Sequence, residues 1–122
     1  MNKKVYSWDF KITYPNGYTI SKSETEMAPI TTILQISNTK GSQIDFTKRL
    51  LGDPEDLSAY QSTKNALVYE KKNATTGQDG RMRKEYLVRI SPNQEYFVEM
   101  RYNAQEGVAE RELIDIVTSV TK

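Results

Sequence analysis

Alternation of apolar and polar residues is the dominant pattern of this chain, and it is longest between residues 82 and 102. Such alternation is typical of β-strands with one buried and one exposed face. A break at residues 91–94 divides the pattern in two, which predicts a long β-hairpin. The predicted buried positions are Met82, Tyr86, Val88 and Ile90 on the first strand and Tyr96, Val98, Met100 and Tyr102 on the second.

Charge favours one register for this late hairpin, in which Glu85 faces Arg101. Opposite charges on directly paired residues stabilise a sheet, and like charges destabilise it. A register shifted by two residues keeps the same buried faces but pairs Glu85 with Glu99. It also pairs Arg83 with Arg101. We therefore predict the first register, which leaves a three-residue loop at 92–94.

Two shorter hairpins are predicted in the first half of the chain. The first joins a continuous alternating strand over residues 5–14 to a second strand that begins at Tyr18. The second pairs Leu34 with Phe46, because this register keeps the apolar residues of both strands on one face.

The loops of these two hairpins are each predicted to have three residues and to end in glycine, at Gly17 and Gly41. Glycine readily adopts the left-handed conformation that the third position of such a loop requires. Gln94 holds the corresponding position in the late hairpin. We therefore predict a left-handed conformation at Gln94 as well.

Two helices are predicted to cover the sheet. Asp53 and Pro54 can cap and begin a first helix that ends before Ala66, where a short strand follows. A second helix is predicted after Asn103, with Glu106 completing a capping box. Its apolar stripe consists of Ala109, Leu113, Ile116, Val117 and Val120. The order of elements predicts one α+β domain over residues 1–122, an antiparallel β-sheet of hairpins flanked by helices.

Composition removes several classes of function. The chain of 122 residues has no cysteine and no histidine, which excludes disulfides, thiolate chemistry, catalytic triads and zinc sites of the usual type. The net charge of +1 gives no broad electrostatic reason for binding nucleic acid. No apolar run approaches the roughly 18 residues of a membrane span. We expect no cofactor and no metal.

Carboxylates are the remaining candidates for catalysis. Asp53, Glu55 and Asp56 resemble a calcium cluster, but the spacing lacks the glycine and distal glutamate of a calcium loop, and a capped helix start explains them better. Hydrolysis by paired acids requires only two carboxylates at a fixed distance from each other. No pair of acids in this sequence is distinguished from the others by apolar neighbours. A carboxylate-based hydrolase or metal-dependent enzyme therefore stays as the alternative function.

The outward positions of the late hairpin form the candidate binding site. The candidate residues are Arg83, Leu87, Arg89, Phe97 and Arg101. Arginine and aromatic residues are enriched in protein interfaces. Either these side chains form an exposed apolar centre rimmed by cations, or a helix of the same domain covers Leu87 and Phe97. The leading hypothesis is a non-catalytic domain that holds a protein partner through a sheet face or edge.

Short motifs at both ends of the chain resemble the PsbP-like family. The first strand leads into the segment Tyr-Pro-Asn-Gly-Tyr at residues 14–18, and the closing helix ends in Ile-Val-Thr-Ser-Val at residues 116–120. The resemblance implies an α/β sandwich like that of secreted bacterial proteins and lipoproteins, and hence an extracytoplasmic location, with a lipid anchor upstream in the lipoprotein case. Photosynthetic members of the family bind metal or photosystem subunits partly through histidine. This chain lacks histidine, so no functional residue is carried over.

Overall fold

The computed structural model describes residues 3–24, 31–49, 55–73, 75–77, 80–103 and 107–122. In these ranges the strands are β1 (Lys3–Ser7), β2 (Lys11–Pro15), β3 (Tyr18–Glu24), β4 (Thr32–Asn38), β5 (Gln43–Lys48), β6 (Tyr60–Ser62), β7 (Val68–Lys71), β8 (Thr75–Thr76), β9 (Met82–Ser91) and β10 (Gln94–Tyr102). A 3₁₀ turn covers Leu57–Ala59, and the helix α1 covers Gly107–Val117.

The main sheet is antiparallel throughout, with the strand order β3-β4-β5-β10-β9-β7-β6 and the short β8 paired to β9. Strands β1 and β2 form a separate two-stranded ribbon. The predicted antiparallel sheet is confirmed, and with α1 it gives an α+β domain. We call the side of the main sheet that faces α1 the inner face, and the opposite side the outer face.

The hydrophobic core lies between the inner face, the ribbon and α1. The ring of Phe10 on the ribbon packs against Phe46 and Tyr96 of the sheet, with centroids 5.5 Å and 4.9 Å away. The sheet contributes Leu34, Ile36, Ile44, Phe46, Val68, Tyr86, Val88, Tyr96, Val98 and Met100 to this core, α1 contributes Leu113, Ile116 and Val117, and Val120 joins it from just beyond the end of α1. The predicted last helix is therefore confirmed, with Leu113, Ile116 and Val117 of its stripe buried; Val120 is buried as predicted but follows the end of the helix, and Glu106 of the capping box lies outside the described residues.

The first predicted hairpin is wrong, because residues 5–14 do not form one strand. The chain reverses at residues 8–10 and forms β1 and β2, while β2 and β3 belong to different sheets. Tertiary contacts explain the break: the Asp9 carboxylate accepts a hydrogen bond from the Tyr96 hydroxyl and lies 3.0 Å from Lys48 Nζ. The left-handed glycine is confirmed, since Gly17 has a φ of 97°.

The second hairpin is confirmed in its predicted register. Leu34 pairs with Phe46 and Ile36 pairs with Ile44, so both apolar pairs face the core. Gly41 in the loop has a φ of 90°, the left-handed conformation that the sequence predicts.

The late hairpin of β9 and β10 is displaced by two residues from the predicted register. Its directly paired residues include Arg83 with Arg101, Glu85 with Glu99, Leu87 with Phe97, and Val88 with Tyr96. The predicted pairing of Glu85 with Arg101 is therefore wrong. Neighbouring strands supply the reason: Lys71 Nζ on β7 lies 2.8 Å from Glu85, and Asp45 on β5 lies 2.8 Å from Arg101. These ion pairs offset the like-charge contacts that the shifted register creates.

The loop of the late hairpin differs as well. Ser91 pairs with Gln94, which leaves a loop at residues 92–93, and the register shifts between Gln94 and Glu95. Among the described residues no residue other than glycine has a positive φ, so the predicted left-handed conformation at Gln94 is wrong. A bulge, rather than a third loop residue, takes up the extra position.

Engineered cysteines test this register, because the chain has no cysteine of its own. We expect Glu85→Cys combined with Glu99→Cys to form a disulfide on mild oxidation, since directly paired Cα atoms lie about 4.5–5.5 Å apart. The combination of Glu85→Cys with Arg101→Cys places the two residues on a diagonal of about 7–8 Å, which should stay reduced. Intact-mass measurement distinguishes the two variants. If only the variant with Glu85→Cys and Arg101→Cys formed the disulfide efficiently, the register predicted from the sequence would be correct.

The predicted helix that ends before Ala66 is absent from the described residues 55–66. A 3₁₀ turn at Leu57–Ala59 leads directly into β6. Asp56 caps this turn, and its Oδ1 accepts the backbone N–H of Ser58 at 2.9 Å. The predicted cap Asp53 and Pro54 lie outside the described residues. Leu57 and Tyr60 provide too short an apolar stripe to hold a helix against a sheet, so strand pairing with β7 prevails.

Candidate functional site

Directly paired outer-face residues form three rows across the strands of the main sheet. The first row is mostly apolar and contains Ile33, Thr47, Phe97, Leu87 and Tyr69. The second contains Gln35, Asp45, Glu99 and Glu85. The third contains Ser37, Gln43, Arg101 and Arg83. Four of the predicted site residues, Arg83, Leu87, Phe97 and Arg101, stand in these rows, and Arg89 lies two positions after Leu87 on β9, so all five lie on the outer face, as the alternation implies.

Leu87 and Phe97 pair directly but differ in exposure. The side chain of Leu87 is fully buried at 0%, whereas Phe97 is 37% exposed. Leu87 lies between Phe97 and Tyr69, its paired neighbours on the adjacent strands. The helix α1 packs on the inner face, so it does not cover either residue. Phe97 rather than Leu87 is the accessible apolar group of this site.

The three predicted arginines are held by carboxylates of the same domain. Arg83 Nη1 donates to Glu99 Oε1 at 3.2 Å. Arg101 Nη2 donates to Asp45 Oδ2 at 2.8 Å, and its Nε lies 3.3 Å from Glu99 Oε1. Phe97 is therefore not surrounded by free cations, which differs from the first of the two arrangements that the sequence left open, an exposed apolar centre rimmed by cations.

The third arginine, Arg89, belongs to a cluster around Glu95, which the sequence analysis did not identify. Glu95 is only 4% exposed. Its carboxylate accepts hydrogen bonds from Arg89 Nε at 2.6 Å, from Arg49 Nη1 at 2.9 Å, and from the backbone N–H of Glu55 at 3.2 Å. This cluster holds the backbone of Glu55 against the outer face, because Arg89 Nη2 also donates to the Glu55 carbonyl at 2.9 Å.

Two opposing effects set the pKa of the Glu95 carboxyl. Burial raises the pKa, but the hydrogen bonds from Glu55 N–H, Arg49 and Arg89 lower it by more. The pKa of Glu95 therefore lies below its ordinary value, and the group is ionised at neutral pH. The Arg49 guanidinium also lies over the ring of Phe97, 5.6 Å from its centroid. Glu95 thus orients a cation that contacts the exposed aromatic residue.

An open hollow of about 420 Å³ lies beside Phe97 on the outer face. The residues that line it are Thr47, Glu55, Tyr60, Lys71, Glu85, Tyr86, Phe97, Val98 and Glu99. We call it the Phe97 hollow. Its volume falls within the usual range for ligand sites. Tyr60 and Lys71 come from β6 and β7, and no sequence pattern linked them to the late hairpin.

A second polar cluster lies at the inner face. The Tyr86 hydroxyl donates to Glu70 Oε2 at 2.8 Å, and Lys84 Nζ lies 3.6 Å from Glu70 and 3.3 Å from Glu110. Burial raises the pKa of Glu70, but hydrogen bonds from Tyr86 and Gln61 and the charge of Lys84 bring it below its ordinary value. This arrangement stabilises an ionised carboxylate, whereas a general acid requires a raised pKa.

The pKa values of two other carboxyl groups in the described part of the chain are also lowered. Burial raises the pKa of Asp9, but hydrogen bonds from Tyr96 and Lys48 outweigh it, so the pKa is lowered. Asp9, Glu70 and Glu95, the described carboxyls whose pKa shifts, all shift downward. None of the three has the raised pKa of a catalytic acid.

The acidic segment Asp53, Glu55 and Asp56, which resembles a calcium cluster in sequence, has other roles where the structure describes it. Asp53 lies outside the described residues, Glu55 Oε2 lies 3.4 Å from Arg49 Nη1, and Asp56 caps the 3₁₀ turn. Within the described ranges there is no cluster of three or more potential metal-ligating acidic, histidine or cysteine side chains. The helix of the described region is too short and too polar to cross a lipid bilayer.

Comparison with known proteins provides no family assignment. No protein-family model matches the chain, and no curated protein or solved structure matches it significantly. The inference of function therefore depends on the fold and on the chemistry of the outer face.

Proposed function

We propose that this domain is a non-catalytic binding or accessory module that holds a protein partner on the outer face of its main sheet. Phe97 and the hollow beside it form the centre of the proposed contact. The ion pairs of Arg83 and Arg101 hold the surrounding charged side chains in fixed positions. Such ordering reduces the side-chain entropy that is lost when a partner binds.

The exposure of Phe97 is the observation that carries this proposal. Of the described residues, only Phe97 and Val5 are large hydrophobic side chains classed as exposed. Val5 lies on the ribbon, whereas Phe97 lies at the centre of the main sheet, next to a concave surface. An accessible aromatic group beside a hollow is typical of the anchor of a protein interface.

We further propose that the fold is the PsbP-like α/β sandwich and that the domain is extracytoplasmic, either secreted or attached by a lipid anchor. The antiparallel sheet with a helix packed on one face supports this fold, and the secreted relatives of that family support the location. Fractionation of the source cells tests the location. Recovery of the protein exclusively from the cytoplasm would contradict it.

Substitution of Phe97 tests the proposed surface, and Val5 provides a matched control. We expect Phe97→Ser to abolish capture of the partner that the wild-type domain recovers by crosslinking in the source cell. Val5→Ser removes the other exposed hydrophobic side chain, which is 62% exposed, and should retain capture. Because Phe97 is partly exposed, its loss should lower the unfolding free energy by only about 1 kcal/mol, below the 3–5 kcal/mol of a buried site.

Three measurements decide between the outcomes. Thermal melts show whether the variants are folded, quantitative mass spectrometry reports the recovered partner, and dose dependence shows whether capture is specific. Equal capture by wild type and Phe97→Ser would contradict the proposed surface. So would a loss of capture in Val5→Ser as large as that in Phe97→Ser.

A further inference from the structure

Acidic residues outnumber basic residues in the lining of the Phe97 hollow. Glu55, Glu85 and Glu99 line it together with a single cation, Lys71. The chain has a net charge of +1. Each of the three glutamates is paired with a cation of the domain, Glu55 with Arg49, Glu85 with Lys71, and Glu99 with Arg83 and Arg101. What the hollow offers a partner is therefore carboxylate oxygens rather than an excess of negative charge.

These carboxylates keep acceptor capacity despite their internal ion pairs. Glu85 contacts Lys71 through Oε2 at 2.8 Å, and Glu55 contacts Arg49 through Oε2 at 3.4 Å. Both arginine partners of Glu99 approach the same oxygen, Oε1. A carboxylate has two oxygens and about four lone-pair positions, so each of these ion pairs uses only part of its glutamate. The hollow offers acceptors to a ligand that brings donors and positive charge.

Two aromatic rings add a preference for a flat cation. Phe97 and Tyr60 both line the hollow, and burial raises the pKa of Tyr60 above its ordinary value of 10.0, so its ring stays neutral at physiological pH. Arg49 already lies over Phe97 at 5.6 Å, which shows that the ring accommodates a guanidinium group. Guanidinium groups stack on aromatic faces and bind carboxylates through a fork of donors, whereas an ammonium group is a compact point charge.

We propose that the Phe97 hollow receives an arginine side chain of the protein partner. The inference rests on the proposed function, because it specifies the chemistry of the partner at the same surface. Phe97 and Tyr60 contact the guanidinium plane, and Glu85 and Glu99 accept its N–H groups. An acidic or an apolar side chain brings no N–H donors for the carboxylate oxygens of Glu85 and Glu99, whereas a guanidinium group brings five.

A set of matched pentapeptides tests this assignment. The probe is acetyl-Gly-Gly-Arg-Gly-Gly-amide, compared with the versions that carry lysine or glutamate at the centre. Titration into isotope-labelled protein should shift the backbone amide signals of Glu85, Phe97 and Glu99 in a saturable manner. We expect the arginine peptide to bind about 5-fold more tightly than the lysine peptide, which corresponds to about 1 kcal/mol of additional cation–aromatic and bidentate interaction. The glutamate peptide should cause no saturable shift.

Charge-neutral variants separate the hollow from general electrostatics. Glu85→Gln and Glu99→Gln should each weaken the arginine peptide several-fold, whereas Glu24→Gln, at an exposed acid on β3, should have no effect. A loss in Glu24→Gln as large as that in Glu85→Gln would overturn the assignment. Equal affinity for the arginine and lysine peptides would overturn the preference for arginine, and absence of saturable shifts would overturn the site.

The two proposals fail in different ways. If the arginine peptide does not bind but Phe97→Ser still loses the cellular partner, the binding surface stands and the arginine assignment is wrong. If Phe97→Ser retains the partner, the proposed function itself is wrong, whatever the peptides show.

Discussion

Replacement of Glu95 by alanine is expected to lower the free energy of unfolding by about 3 kcal/mol, a loss typical of removing one partner from a buried ion pair. The substitution leaves Arg49 and Arg89 without their shared carboxylate and removes the acceptor of the Glu55 N–H. The side chains of the two arginines are 27% and 22% exposed, so water partly replaces the lost partner. For this reason we expect the lower end of the range of 3–5 kcal/mol.

Chemical denaturation at neutral pH measures this loss. The matched control is Glu99→Ala, which also removes a carboxylate bound to two arginines, but from a side chain that is 39% exposed. Exposed ion pairs contribute about 0–1 kcal/mol, so the control should lose 1 kcal/mol or less. Equal losses in the two variants would show that burial of Glu95 does not determine its contribution.

The acid dependence of stability provides a second readout for Glu95. Its pKa in the folded protein lies below the ordinary value of 4.5. The carboxylate therefore stabilises the fold fully above the pKa of the unfolded chain, and this contribution is lost as the pH falls through the pKa of the folded state. The Glu95→Gln variant should be less stable than wild type at pH 7, and the difference should shrink below about pH 4. A difference that stays constant with pH would contradict the ionised state.

Replacement of Asn65 by alanine is expected to destabilise the domain by about 2–3 kcal/mol, because buried carbonyl groups would lose their donors. Asn65 Nδ2 donates to the carbonyls of Thr118 at 2.8 Å and Val120 at 2.7 Å, beyond the end of α1. Its Oδ1 accepts the backbone N–H of Leu67 at 2.9 Å. One side chain thus joins the segment before β7 to the C-terminal end of the helix, where carbonyls lack partners within the helix.

Two further variants identify the cause of this loss. Asn65→Asp keeps the size of the side chain and the acceptor for Leu67 but loses both donors, so it should be at least as destabilising as Asn65→Ala. Asn103→Ala removes an exposed asparagine with a weak 3.4 Å bond to the Lys40 carbonyl and should cost less than about 0.5 kcal/mol. Wild-type stability in Asn65→Asp would contradict the role of the Nδ2 donor.

The elements with local signals were predictable from the sequence. The register of β4 and β5 was predictable because pairing Leu34 with Phe46 puts the apolar residues of both strands on one face. The same register leaves a short loop that ends in Gly41, so both signals indicate one pairing. The last helix follows from the periodic stripe around Leu113. The predicted helix before Ala66 is wrong because capping signals near Asp53 were not accompanied by such a stripe, and caps contribute too little without an apolar face.

The register of the late hairpin and the site depend on partners that are distant in sequence. Pairwise charges within an isolated hairpin favour Glu85 opposite Arg101, but Lys71 and Asp45 on the flanking strands decide otherwise. Outward alternation correctly placed Phe97 on the outer face. It gave no indication that Glu95, at a position of the same polar parity, is buried by two arginines.

The inner face of the sheet is covered by segments from opposite ends of the described chain, which affects the order of folding. Lys11 and Thr121 exchange backbone hydrogen bonds of 2.8 Å and 3.0 Å, and the Thr13 N–H donates to Ser119 Oγ at 2.8 Å. Closing such a large loop costs more entropy than forming the successive hairpins of the sheet. We therefore expect the sheet to assemble first and its apolar inner side to stay open to water until the last sixteen residues dock. Pulse-labelled hydrogen exchange would detect this as late protection of the Lys11 and Thr121 amides. Before the C-terminal residues dock, the domain exposes the hydrophobic inner face of its sheet. We therefore expect chaperones to bind mainly to this folding intermediate.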